Sequence, residues 1–235
     1  MGLFDLLKRN RETEEVTRSA LDEARDPSEG QGAITDLIQR ILSVGLDGVG
    51  PVAGAKKVAD EALKDNHGDR EAAIDDLARK HIRLGASGGF VTSLGGFITM
   101  PVALPANVFE FYVLATRAVG AVATLRGYDI SKPEIRTAVL LTLIGTKSDD
   151  ILTKVGINTG ANTVSSLASK NLPKAAIMMI NKAVGFQLLK SLGERSLTRL
   201  GRLVPAAGGV IGALFDGTMM SRITKQAREE FPATV

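Results

Sequence analysis

The chain has 235 residues, enough to bury a substantial core in one domain. It contains no cysteine and two histidines, His67 and His81, which excludes disulfides, thiol nucleophiles, iron–sulfur clusters and thiolate zinc sites and makes a histidine-rich metal site a poor expectation. Its 29 basic and 26 acidic residues give a net charge of +3 spread along the chain, and aromatics are 4%; both the basic field and the stacking platforms of a nucleic-acid binder are missing.

Taken from the start, Met1-Gly2-Leu3-Phe4-Asp5-Leu6-Leu7 is too short an apolar run for a signal peptide. Leu6 also breaks the myristoylation pattern that Gly2 would open. A cytoplasmic location, peripheral at the inner face of the membrane, is the resulting expectation. Residues 8–31 are densely charged and end in Asp26-Pro27-Ser28-Glu29-Gly30, which reads as a frayed helix and a linker. The predicted organisation is an extension over 1–31 and a helical domain over 32–235.

Helical spacing is clear from residue 33, where Ile34, Leu37, Ile38, Ile41 and Leu42 recur at i, i+3, i+4, i+7 and i+8. Gly45, Gly48 and Gly50 are read as ending that helix and Pro51 as starting another through Lys64. A third starts near Asp69, with Ile74, Leu77, Ala78, His81 and Ile82 on one stripe. These three are amphipathic and belong to an outer layer.

The centre differs, because Leu84 to Phe109 runs 26 residues without a charge. That exceeds the ~20 residues needed to span a bilayer. Glycines at 85, 88, 89, 95 and 96 and prolines at 101 and 105 interrupt it, so the expectation is a broken helical hairpin: one helix to about Ile98, a proline turn, and a second from about Pro105 to Arg126. Further helices are expected at about 133–145, 148–169, 173–192 and 194–202. A second uncharged stretch, Leu203 to Phe215, precedes Asp216 and a charged amphipathic tail. No run alternates as a strand does.

Gly-x-x-x-Gly spacing occurs at Gly50/Gly54, Gly85/Gly89, Gly156/Gly160 and Gly208/Gly212. On a helix it lets two backbones meet closely, in a membrane or in a soluble bundle. The 25 glycines are more than the ~7% of average composition would supply, and because the flanking helices are amphipathic rather than lipid-facing, tight packing in a soluble bundle is the simpler reading. Gly85-Ala86-Ser87-Gly88-Gly89 matches a nucleophile elbow with His81 nearby, but an elbow needs a strand feeding a helix and the preceding pattern is helical. A hydrolase using Ser87 is therefore a third-ranked reading. Gly48-Val49-Gly50-Pro51-Val52-Ala53 imitates a dinucleotide fingerprint, yet a helix precedes it and Pro51 removes an amide. No cofactor is expected.

Lone charges in apolar segments stand out: Glu110, Arg117 and Asp216, with Asn107, Glu110 and Arg117 on one stripe. Desolvation costs several kcal/mol per ion, so they must pair or face water. An interhelical ion pair of Arg117 with Asp216 or Glu110 is the ordinary solution. The functional alternative is the polar end of an apolar pocket, with Phe90, Phe97, Phe111 and Tyr112 as the aromatic wall, orienting a lipid headgroup.

The stretches Gly89-Phe90-Val91-Thr92, Leu94-Gly95-Gly96 and Ile98-Thr99-Met100-Pro101-Val102-Ala103-Leu104-Pro105-Ala106-Asn107 closely resemble the bacterial EcsC family. Gly127-Tyr128-Asp129, Ile180-Asn181-Lys182 with Gly185-Phe186, and Val204-Pro205 through Phe215-Asp216 extend the likeness over about residues 40–230. Ser93 stands where a glycine is expected. The resemblance implies a helical protein in a membrane context, its operon encoding a transporter of the ATP-binding cassette type linked to secretion; it brings no catalytic residues.

The expectation is thus an all-α multi-helix bundle, amphipathic outer helices around glycine-rich apolar hairpins. Its expected role is non-enzymatic: binding lipid in a helical cavity or inserting shallowly into a membrane, with a membrane transporter as partner and no nucleic acid. A conditional, pore-forming inserter ranks second.

Overall fold

The computed structural model describes the backbone of residues 3–26, 32–94, 96–145, 148–154, 156–157, 167, 172–200 and 205–234. Side chains are described over 12–26, 32–86, 109–145, 148–154, 156–157, 167, 172–190 and 216–234. The helices are α1 (Leu3–Arg25), α2 (Ala33–Leu42), α3 (Ala55–Asp65), α4 (Arg70–Leu94), α5 (Gly96–Leu125), α6 (Pro133–Ile144), α7 (Ser148–Lys154), α8 (Lys174–Leu200) and α9 (Pro205–Glu230). One turn of π-helix, Ser43–Asp47, and a two-stranded hairpin, β1 (Gly48–Val49) and β2 (Val52–Ala53), join α2 to α3. The fold is all-α apart from that hairpin.

Local chemistry explains most boundaries. All five apolar stripe residues of α2 are buried. Asp69 opens α4 by accepting the Ala72 N–H at 3.0 Å, as a carboxylate cap does. Between α3 and α4 the exposed His67 and Gly68 hold φ of 52° and 88°, so this histidine serves a turn. α1 packs on α2, α5 and α8, with Thr17, Ala20 and Glu23 buried. The Glu23 carboxylate accepts the first N–H of α2's Ile34 at 3.0 Å, tying the extension to the body. α6 is buried nearly all round from Ile135 to Leu143, so it, too, belongs to the core.

Several expected boundaries move. The segment 48–53 folds as an antiparallel hairpin, Gly48 facing Ala53 and Val49 facing Val52. Gly50 at φ 59° and Pro51 are its two central residues, the Gly-X pair of a tight hairpin turn, so Pro51 turns the chain and α3 starts at Ala55. The Gly50/Gly54 pair consequently does not lie on a helix. The glycines at 85, 88 and 89 do not end a helix, and the stripe from Ile74 to Ile82 continues as one 25-residue α4. Pro101 and Pro105 lie inside the 30-residue α5, each forfeiting one backbone bond while the rest of the ladder holds. α7 ends at Lys154, and α8 passes through Gly193 unbroken.

Candidate functional site

Three helices form the unit that contains the expected site. α4 and α5 run antiparallel: at one end Arg70 donates to the Leu125 carbonyl at 3.0 Å and Glu71 pairs with Arg126 at 2.8 Å. At the other end α5 begins one residue after α4 stops. α9 lies antiparallel along α4, since Arg228 pairs with Asp75 at 2.6 Å while Asp216 and Met220 back onto Gly85. At this seam a methyl group on Gly85 would sit 3.4 Å from the Asp216 carbonyl, and one on Gly217 would sit 3.3 Å from the Ala86 side chain. Small residues thus bring the two backbones close.

The register has a consequence for charge. Beyond Gly85 and Asp216 both helices continue, α4 to Leu94 and α9 back to Pro205, so the two uncharged stretches of the sequence run toward the same end. Counting back from that end, the first charged residues are Arg83 on α4, Glu110 on α5 and Asp216 on α9. Carried across by the antiparallel pairing, they fall within about one turn of α4. They form a collar of charge below the uncharged stretches of these three helices; the nearest charge along the α8 helix that leads into α9 is Arg199, six residues before Pro205.

At the collar, Glu110 is exposed enough to meet water, and partial burial pushes its carboxyl above the ordinary value. Phe111 is half-buried and packs edge-on against Tyr112, centroids 5.5 Å apart. Tyr112 is 1% exposed and its hydroxyl donates to the Leu188 carbonyl of α8 at 3.4 Å, which places α8 beside the collar. Leu84, 49% exposed, stands at the start of the uncharged run.

Two turns below Glu110, Arg117 makes no ion pair among the described residues. The expected pairs with Glu110 or Asp216 do not form. Seven residues along one helix is about 10 Å, and Asp216 lies on the α4–α9 seam. Arg117 Nη1 instead donates to the Ala53 carbonyl of the hairpin at 3.5 Å, and burial lowers its pKa. Beside it His81 is 3% exposed; its Nδ1 donates to the Leu77 carbonyl at 2.9 Å. Burial, with smaller contributions from the positive charges of Arg117 and Lys80, lowers His81 to about 4 against the opposing Leu77 bond. This histidine is a neutral core residue at pH 7.

The structure therefore gathers Glu110, Phe111, Tyr112 and Asp216 near one level and sets Arg117 deeper. The side chains of Phe90, Phe97, Asn107 and Ser87 lie outside the described residues. Residues 85–89 are helical, so they do not form the strained strand-to-helix turn of an elbow. Arg83 was not singled out, and Leu84 was named only as the edge of the uncharged run.

A separate hollow of about 610 Å³ opens between the β-hairpin and α3, walled by hairpin backbone and by Lys56, Lys57, Lys64, Asp60 and Glu61. Its charges neutralise one another, Lys56 with Asp60 at 2.7 Å and Lys57 with Glu61 at 4.0 Å. It is not the apolar cavity a lipid chain requires. Among the described residues no three histidine, aspartate or glutamate side chains gather as a metal site, and no helix is long and apolar enough to cross a membrane.

The family model described as the EcsC protein family matches residues 6–232. No curated protein and no solved structure matches the chain significantly.

Proposed function

The chain belongs to the EcsC protein family, and within it we propose a membrane-associated protein that dips the charge-free end of α4, α5 and α9 into one leaflet. The observation behind this reading is the segregation of charge along those three helices. From Leu84 the α4 leg is about 16 Å long and the α5 leg back to Phe109 about 21 Å, at 1.5 Å per residue. Both fall short of the ~30 Å hydrocarbon core. Such an apolar hairpin enters a leaflet and stops, and the Arg83, Glu110 and Asp216 collar halts it at the headgroups.

The raised Glu110 carboxyl fits a group at the edge between water and an apolar medium. Short legs argue against a spanning pore. A transporter partner, as the family resemblance implies, would meet the protein on that same membrane.

Flotation of the full chain with phosphatidylcholine and phosphatidylcholine–phosphatidylglycerol vesicles loaded with dye tests the proposal. The expected result is protein in the floating fraction with the dye retained. Protein that stays at the bottom with both vesicles overturns it, and rapid dye release would point to pore formation instead.

A further inference from the structure

The exposed apolar side chains are not scattered evenly. Of the large hydrophobic residues exposed among the described residues, Met178 (55%), Met179 (55%) and Phe186 (37%) all lie on α8. At 100° per residue they fall within one arc of about 120° with Lys182 and Lys190, opposite the buried Ile180, Val184 and Leu188; Leu189, at the Met178 edge of that arc, is buried, so the exposed face narrows toward Phe186 and Lys190. The helix meets α2 at the edge of this arc beside Met178, where Gly185 seats against Ile34 and Ile38. The outer arc therefore holds only apolar and cationic groups.

Charge along this part of the chain has one sign. Between Asp150 and Glu194 there are five lysines and no acidic residue, although the protein as a whole is nearly balanced. Among the described side chains, the acidic group facing this arc is Glu23 of α1, whose carboxylate lies 3.5 Å from Lys182 and is already engaged by the Ile34 N–H. Lys174 and Lys190 are exposed and have no such partner among the described residues.

We infer that the outer face of α8, with Met178, Met179, Phe186 and Lys190, and with Lys174 flanking it about 40° outside the arc, is a docking surface for an anionic lipid bilayer. An interfacial helix works this way: the apolar side chains sink to the acyl boundary while the lysines remain at the headgroups, each attracted to anionic lipid. A second copy of the chain is the wrong occupant, because a two-fold contact would set lysine against lysine. The Tyr112 hydroxyl holds Leu188, between Phe186 and Lys190, at the collar, which sets that end of the face level with it. The inference rests on the membrane reading above and adds a second contact, with a lipid-class preference.

The test uses the full chain and three variants in vesicle flotation: Met178→Ser/Met179→Ser/Phe186→Ser, Lys174→Glu/Lys190→Glu, and Val52→Ser as an exposed apolar control on the hairpin. All these side chains are at least partly in water, so thermal melts should stay close to wild type. The triple serine variant is expected to bind both vesicle types about tenfold or more weakly. The charge-reversal variant should lose about tenfold or more on phosphatidylglycerol-containing vesicles and little on phosphatidylcholine alone. Val52→Ser should bind as wild type does.

If wild type floats and the α8 variants float equally well, the α8 inference is wrong while the membrane reading stands. If wild type floats with neither vesicle, the membrane reading itself fails. If the serine variant instead dissolves an oligomer that wild type forms without lipid, the face is a self-interface and the inference is overturned.

Discussion

At one end of the α4–α5–α9 unit, Arg70, Glu71, Asp75, Arg126 and Arg228 tie the helices through ion pairs and a carbonyl bond. At the other end, for more than two turns of each helix, the sequence offers no charge at all. Under the proposed function the same three helices meet two different surroundings. Water at the first end screens and solvates the pairs, so each contributes little stability; the second end of these helices offers water no charge and only a few hydroxyl and amide side chains, Ser87, Thr92, Ser93, Thr99 and Asn107. Helix packing alone does not demand this division, since α2 and α3 pack well with mixed charge on their outer faces. The difference points to what lies outside the protein.

His81 lies between the two ends, and its pH response is expected to be the largest effect. Its value falls from 6.5 in the unfolded chain to about 4 in the fold, so the unfolded state binds more protons between those values. Stability is fully present above pH 6.5 and is lost as pH falls toward 4, by about 3 kcal/mol in total. Urea midpoints of wild type should drop across that window, and those of His81→Met should drop much less.

Leu84→Glu sharpens the contrast from the apolar side. The residue is 49% exposed, so folding should be nearly unaffected. Placing an anion at the edge of the charge-free end should weaken binding to phosphatidylglycerol-containing vesicles on the order of tenfold, read by flotation. Equal binding would separate this end from any membrane contact.

Two glycine substitutions compare seam and core. A methyl at Gly120 would lie 2.9 Å from the Ala55 methyl and collide with Leu46, whereas one at Gly85 meets its neighbours at 3.4 Å, ordinary contact. Gly120→Ala should therefore cost about 1–2 kcal/mol despite its better helix propensity, and Gly85→Ala should be neutral or slightly stabilising. Denaturant melts read both. The smallest effect belongs to the charged end: Asp75→Asn removes a half-exposed pair with Arg228 and should cost about 0.5 kcal/mol.

Much of this was legible in the residues. The apolar stripe of α2 and the Asp69 start of α4 follow from periodicity and capping, which are local. The hairpin at 48–53 was misread as a helix end and a helix start, because a proline after glycines suits a helix start as well as a hairpin turn and local rules rank the two equally. Pro101 and Pro105 misplaced the break because backbone cost is local, whereas continuing a helix is decided by what packs on it. Glu110 and Asp216 were visible as lone charges; their common level was not, since it depends on the antiparallel register of α4 and α9. Arg117 was assigned an acidic partner when the fold gave it a carbonyl, a choice fixed by where the hairpin lands.

Because the chain has no cysteine, single labels are simple to place, and one pair of them addresses the central claim. Ser93→Cys and Lys132→Cys each carry an environment-sensitive fluorophore at opposite ends of the unit. On adding phosphatidylcholine–phosphatidylglycerol vesicles, the label at 93 should shift to the blue and become shielded from an aqueous quencher, and the label at 132 should do neither. No shift at 93, or the same shift at both positions, would contradict the account.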